Sequence, residues 1–380
     1  MRDTAVSLGG DGRAEGGGLQ SPAHISVDHC VDCIRRNSDV IVGIKIALSR
    51  SWASEFPGGP EAGEAAGYEA ALDASEQAGV PLMTHHTFSS VPLSECPGRL
   101  RPGDVYTHCL HGFESTLITP SGEIHPAALA AHERGVRFDV GHGMGSFSWT
   151  VAERCIAAGF PIHTISTDLW NGNVNGPAYD LPTVMSKCLA LGMTLNEVVK
   201  AATATPAETI GFANTIGSLG IGRCADIAVL ELRDVDMELE DSQSQMRRVK
   251  QLLVPHACWR AGVKVEGISN VLQAPFPNPV SLLSQAVGWE KLLVRDSKPP
   301  ARVSRGGVTT TGVAASSHIS VFASMAAAAS LKRRVDDVCL PCDSNSLRSR
   351  GLLERRLQAH ELQPQWPGGP LVPKFKSVCC

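Results

Sequence analysis

The sequence predicts an α/β fold of repeated β/α units around a parallel sheet, and three observations carry that expectation. Between residues 39 and 211, short apolar runs alternate with stretches of helical character, the pattern of strands joined by helical crossovers. Five of these runs, at 41–48, 80–86, 104–110, 137–143 and 163–169, carry Lys45, the pair His85/His86, His108, His142 and Asp168 at or near their ends. Beyond them, glycine-flanked apolar runs at 225–232, 251–254 and 263–266 predict further strands outside the repeated units.

The elements follow in order. Residues 1–22, with Gly9-Gly10 and Gly16-Gly17-Gly18 and no hydrophobic period, read as a flexible leader. The stretch 28–36 looks helical, and helices are expected at 64–77, 125–134 and 148–158 as connectors between the strand-like runs. Thr194-Leu195-Asn196-Glu197 is a capping-box signature: the Thr accepts from the third helical amide and the Glu reaches back, starting a helix over 195–204. After about residue 270 the pattern dissolves into Pro-rich pieces, Thr309-Thr310-Thr311 and an Ala run at 326–329, a basic low-complexity tail with one helical stretch at 346–360. The expected division is therefore leader 1–22, α/β body 23–215, a small β segment 216–270 and a tail 271–380.

Composition bounds the function. The chain has 380 residues, 43% hydrophobic and 19% charged, enough to bury a sizeable core. No apolar run approaches the roughly 18 residues of a membrane span, and the N-terminus has no hydrophobic signal core. A cytoplasmic protein is expected, with its 12 cysteines as thiols. Of 34 Lys and Arg and 38 Asp and Glu, residues 271–380 hold 14 and 7, leaving 20 against 31 in residues 1–270. An acidic body with a basic tail argues against nucleic acid as partner and leaves a small molecule as the expected one. Oligomeric state is not legible. Cys30-X-X-Cys33 and Cys339-X-X-Cys342 lie about 300 residues apart outside any redox-type unit, and are read as chance pairs.

The residues at the run ends have definite chemistry. In a parallel barrel the active site lies at the carboxyl ends of the strands, so a polar residue ending an apolar run projects into it. His85 and His108 suit Zn²⁺ through neutral imidazole nitrogens. His86 follows His85 directly, and strand alternation sends the two to opposite faces. Asp168 can both bind a metal and take the proton from an attacking water. Lys45, inside Ile41-Val42-Gly43-Ile44-Lys45-Ile46, either snorkels from a sheet end or, its pKa lowered by burial, takes up carbon dioxide as a metal-bridging carbamate. His142, in Gly141-His142-Gly143-Met144-Gly145, either touches substrate or packs on the backbone of its own loop.

Taken together, these residues resemble the amidohydrolase superfamily of metal-dependent hydrolases, and within it the deacetylase-like branch. The likeness is carried by Val42-Gly43-Ile44-Lys45, Pro81-Leu82-Met83-Thr84-His85, and the stretch from Arg101 through Asp104 and His108 to Cys109. It continues in Phe138-Asp139-Val140-Gly141-His142-Gly143, in Thr164-Ile165-Ser166-Thr167-Asp168, and in Leu181-Pro182-Thr183-Val184-Met185-Ser186-Lys187. The resemblance implies a (β/α)8 TIM barrel with a small β-domain beside it. It implies one or two Zn²⁺ ions: Lys45 as the carboxylated bridging ligand, His85 and His108 on one metal, and Asp168 as ligand and base at the other. The implied reaction is hydrolysis of an acyl group from a small N-acyl or O-acyl substrate through a metal-activated water.

The family also places a His-X-His pair on the first barrel strand, well upstream of the lysine. Only 44 residues precede Lys45, and His24 and His29 have the wrong spacing for that pair. The resemblance is therefore to an N-terminally truncated barrel lacking its first strands. The alternative expectation is a catalytically impaired chain or a non-enzymatic interaction protein.

Overall fold

The computed structural model describes residues 18–170, 172–265 and 318–323. Most of the expected leader and tail, including the helix at 346–360, Cys339 and Cys342, lies outside the described residues.

A parallel sheet forms the heart of the body, with strands β1 (Ile44–Leu48), β2 (Leu82–His86), β3 (Val105–Thr107) and β4 (Arg137–Phe138) in sequence order. A bridge between Asp139 and Thr164 continues the same parallel sense into the fifth expected run. The strands are shorter than the apolar runs that predicted them, and the fifth is a single bridge. Backbone turns at the strand ends are responsible: His108, Gly141 and Asp168 have φ of 63°, 46° and 45°. Left-handed residues cannot continue a ladder, so pairing stops short of His108 and Asp168, whereas Lys45 and His85 lie within paired strands. Among the described residues the sheet is an open arc of four strands plus the bridge, and no closed eight-stranded barrel is formed.

Register sorts side chains onto two faces. Ile44, Ile46 and Leu48 align with Leu82, Thr84 and His86, then with Tyr106 and Phe138, and all of these are buried. This face carries the core and meets α2 (Pro60–Ala78), which also packs on α1 (Val27–Arg36). Lys45 and Ala47 align with Met83 and His85 on the other face, where Lys45, Met83 and His85 remain half-buried. One residue of strand alternation thus divides His86 in the core from His85 on the open face, as the His85-His86 pair predicts.

Local signals explain the helices. α2 opens on Gly59 with Pro60 in its first turn and closes on Gly79, whose φ of 66° is the left-handed cap glycine tolerates. α3 (Pro126–Glu133) and α4 (Trp149–Ala157) lie where the pattern placed them. An unexpected helix, α5 (Leu181–Ala190), starts at Asp180, whose side chain accepts from Thr183 N–H at 2.7 Å with Pro182 in the first turn. Both halves of the capping box form at α6 (Leu195–Ala202), and α7 (Ala204–Thr209) follows after a break at Thr203.

The second sheet is antiparallel and larger than expected. Two long strands, β5 (Ile227–Glu240) and β6 (Met246–Arg260), form a hairpin flanked by β7 (Val263–Lys264) and β8 (His318–Ala323). The anticipated strand at 225–232 therefore runs on to Glu240, because Val235, Met237 and Leu239 continue the alternation with acidic residues between them. β8 corrects the reading of 271–380 as a tail without strands: six of its residues pair with β5.

The hairpin docks on the body through α5, which packs on β6, and through its tip. Ser148, which precedes α4, makes no side-chain cap hydrogen bond. Asp241 supplies the acceptor instead, taking Trp149 N–H at 2.9 Å and the tip amides of Gln243 and Gln245 at 2.7 and 2.8 Å.

Phe138 tests the core assignment. It is fully buried, 5.6 Å from the Tyr106 ring and 4.8 Å from Phe160. Phe138→Ala is expected to cost about 3–5 kcal/mol of unfolding free energy, read from urea titration. A loss below about 1 kcal/mol contradicts this packing.

Candidate active site

The structure brings Lys45, His85, His108 and Asp168 to one end of the parallel sheet. Lys45 and His85 share the open face, one residue pair apart along the register. The His85 and His108 rings meet edge to face with centroids 4.3 Å apart. His85 Nε2 lies 2.7 Å from Thr87 Oγ1, which leaves Nδ1 as the ring atom on offer to a ligand. His108 is fully buried, and its Nδ1–H donates to Gly141 O at 2.6 Å. That bond fixes the tautomer, so Nε2 carries the lone pair, and Nε2 is buried with no hydrogen-bond partner. A buried lone pair without a partner is costly, and its orientation is that of a metal-ligating imidazole supported from behind by a carbonyl.

Asp168 is exposed at the mouth. Asn173 Nδ2 donates to its backbone carbonyl at 2.9 Å, and Trp170 N–H donates to Asn173 Oδ1 at 2.8 Å, which pins the loop after it. A methyl group on Gly143 would sit 3.1 Å from Asp168 Oδ2, so the turn backs directly onto the carboxylate. One on Gly141 would meet Thr107 Oγ1 at 2.3 Å and His108 Nδ1 at 2.7 Å, which explains glycine there.

The field of the site keeps its imidazoles neutral. His85 titrates well below its usual range because of burial first, then the neighbouring His108 and Lys45. Burial also lowers His108, opposed by the nearby Asp168 carboxylate and reinforced by Lys45. Neutral imidazole is the form that binds a metal.

His142 sits apart from this group. It is fully buried, its ring stacked on Phe147 at 4.7 Å and 11°, with Nδ1 2.9 Å from Gly143 O and Nε2 2.8 Å from Lys187 Nζ. Both ring nitrogens are thus taken up inside the protein, one by the backbone of its own loop and one by Lys187. His86 is likewise internal, bonded to Tyr106 OH at 2.9 Å and Val91 O at 2.8 Å.

Two residues at the site belong to the motifs that carry the resemblance but receive no role from the sequence. Asp139 is buried beneath His108 and accepts hydroxyls from Thr107, Thr164 and Ser166 at 2.6–2.7 Å. Lys187, inside the apolar stretch of α5, is fully buried. A lysine flanked by Val184, Met185 and Cys188 in a helix opened by Asp180-Leu181-Pro182 was the available signal for it.

Among the described residues, no three His, Cys, Asp or Glu side chains converge as a ready metal cage. The two histidines fit a metal as a pair; Lys45, on the same sheet face, and His111, whose Nε2 is also buried without a partner, are nitrogens close to them.

Residues 148–265 match the amidohydrolase family. Over a longer stretch the chain is similar to curated deacetylases at 33–34% identity. A deacetylase of Agrobacterium fabrum is 34% identical over 237 residues, covering 62% of this chain and 56% of that protein. The crystal structure of an adenine deaminase is similar at a TM-score of 0.60 and 29% identity, covering 65% of this chain and 66% of that one. That of a dihydroorotase gives 0.54 and 32%, covering 64% and 62%. The chain spans about half the length of the curated relatives it matches. No helix among the described residues is long and apolar enough to cross a membrane.

The buried histidines make stability depend on pH in a definite direction. Burial lowers His86 from 6.5 to about 4, and pushes His111 and His142 well below 6.5. Below pH 6.5 the unfolded chain takes up protons that the native state refuses. Their contribution is therefore fully present above pH 6.5 and is lost as pH falls toward 4. Each such histidine steepens the loss by up to about 1.4 kcal/mol per pH unit. Urea midpoints at pH 7.5 and 5.5 are expected to differ, the lower pH being less stable; equal midpoints contradict neutral burial.

Proposed function

We propose that this chain carries the metal site of a hydrolase that removes an acyl group from a small N-acyl or O-acyl substrate. The observation that supports this most is the buried, partnerless Nε2 of His108, fixed from behind by Gly141 O and beside His85. His85 and His108 hold one zinc ion in this reading, and Lys45, on the same sheet face as His85, completes the set as a carbamate. A second ion would take Asp168 among its ligands.

A bound zinc ion supplies polarisation of the acyl carbonyl and a lowered pKa for the attacking water. The chain's residues do the rest. Asp168, exposed at the mouth with its loop pinned by Asn173, takes the proton from the attacking water and returns it to the leaving amine or alkoxide. Burial keeps His108 neutral, and its Nδ1–H bond to Gly141 O fixes the tautomer that leaves the lone pair on Nε2. Gly143, without a side chain, lets the turn back onto Asp168 and limits the carboxylate's freedom on that side.

Among the described residues no three His, Cys, Asp or Glu side chains converge, which favours a second reading of the same site: weak metal binding and slow turnover, with the chain acting chiefly as a binding protein.

Elemental analysis separates these. We expect about one zinc per chain in the native protein, lost in His108→Ala and in Lys45→Ala while the far-ultraviolet circular dichroism is retained. Asp168→Asn is expected to keep the metal and lower hydrolysis of acylated amino acids by at least about 10²-fold, the scale of general acid–base catalysis. Metal content unchanged in both the His108 and Lys45 variants sinks the proposal. Metal binding without measurable hydrolysis in the native chain selects the second reading.

A further inference from the structure

Lys187 is among the least expected side chains in the molecule. It projects from α5 into a site without solvent, and its ammonium faces three acceptors: His142 Nε2 at 2.8 Å, Pro177 O at 2.8 Å and Glu240 O at 2.5 Å. None of the three is a carboxylate oxygen. Burying a lysine against neutral acceptors is unfavourable, because desolvation is not offset by a direct ion pair. Burial accordingly lowers its pKa to about 7, against the pull of the Glu240 and Asp241 carboxylates.

The bonding directions around it are fixed by elimination. Pro177 O and Glu240 O only accept, so two of the three N–H groups go to them. Gly143 O also only accepts, so His142 Nδ1 must carry the hydrogen that spans their 2.9 Å separation. In the neutral ring Nε2 then offers a lone pair, and the third N–H of Lys187 fills it. The ring has no rotational freedom left, being stacked on Phe147 at 4.7 Å.

What this holds still is the turn 141–143. His142 N–H donates to Ser166 O at 3.1 Å and Gly143 N–H to Thr167 O at 3.0 Å, while Gly141 O receives the His108 Nδ1–H. The same turn therefore aims one candidate ligand and backs onto another. Lys187 also ties in Pro177, from the loop that follows Asp168, and Glu240, from the end of β5.

We propose that Lys187 is a positioning residue: it fixes His142 as the Nδ1–H tautomer and so locks the turn whose Gly141 carbonyl orients His108. The role toward the metal rests on the reading of His108 as a ligand; the tautomer does not.

The test uses the full chain with ¹⁵N-labelled histidine rings, the His142 signals being assigned by their loss in His142→Asn. In the native protein at about pH 6, where Lys187 is the ammonium that the third N–H requires and burial keeps His142 neutral, Nδ1 is expected to be protonated and Nε2 to be an unprotonated acceptor. A native His142 protonated on Nε2 overturns the proposal without any variant. In Lys187→Met, His142 is expected to shift toward the Nε2–H form and Zn²⁺ affinity to fall about 10–100-fold, the usual cost of losing a supporting group around a metal. A folded Lys187→Met chain with unchanged tautomer and unchanged Zn²⁺ affinity also overturns it. If that variant does not fold, the native spectrum alone decides. A native chain that binds no Zn²⁺ but shows the Nδ1–H tautomer refutes the metal site and the role toward His108, and leaves the Lys187–His142 assignment standing.

Discussion

The site depends first on a buried carboxylate that touches no candidate ligand directly. Asp139 follows β4 and is almost wholly removed from solvent. Its two oxygens accept three hydroxyls, Thr107 and Ser166 on Oδ2 and Thr164 on Oδ1. A carboxyl group in such a place is tolerable only when hydrogen bonds replace its water. Those bonds join the end of β3 to the segment carrying Asp168, across a stretch where the ladder has shrunk to one bridge. His108 follows Thr107 directly, and the Gly141 amide donates to the same Ser166 hydroxyl at 3.2 Å. The carboxylate thus does at the strand ends what backbone pairing does lower in the sheet.

The second constraint is conformational. His108 and Asp168 both hold left-handed backbone angles that non-glycine residues seldom adopt, and both stand where a strand has just stopped. The turn out of the strand swings each side chain toward the mouth. Glycines at 141 and 143 serve the complementary purpose of letting backbone come close to the side chains so displaced. Strained residues and bare backbone are paired at the same place, and the hydroxyls around Asp139 hold the arrangement together.

Much of this was legible in sequence, because strand ends announce themselves where an apolar run meets a polar residue. The His85-His86 pair shows the reasoning at its firmest: alternation alone placed one ring in the core and one on the open face. Thr194 and Glu197 were equally plain, since a capping box is a local device that needs no tertiary partner. Strand lengths were overestimated because hydrophobic runs do not reveal where φ turns positive. The hairpin was underestimated for the opposite reason: acidic residues between Val235, Met237 and Leu239 hid an alternation that was present. Lys187 escaped because the acceptors that allow its burial come from residues 142, 177 and 240, which only the fold assembles.

The borrowed cap on α4 bears on how the chain reaches this state. The acceptor for Trp149 N–H comes from Asp241, 92 positions further along, because Ser148 makes no such bond itself. A helix that caps itself can begin alone, whereas this one completes its first turn only when the hairpin arrives. Contacts so distant in sequence form late, because closing the intervening loop costs entropy before any contact rewards it. The two sheets consequently do not mature as separate modules: docking of the hairpin tip finishes a helix of the body, and the finished helix anchors the tip. Removing the hairpin would leave α4 frayed at the end that adjoins the turn after Gly145, so the smaller sheet is a folding partner of the larger one.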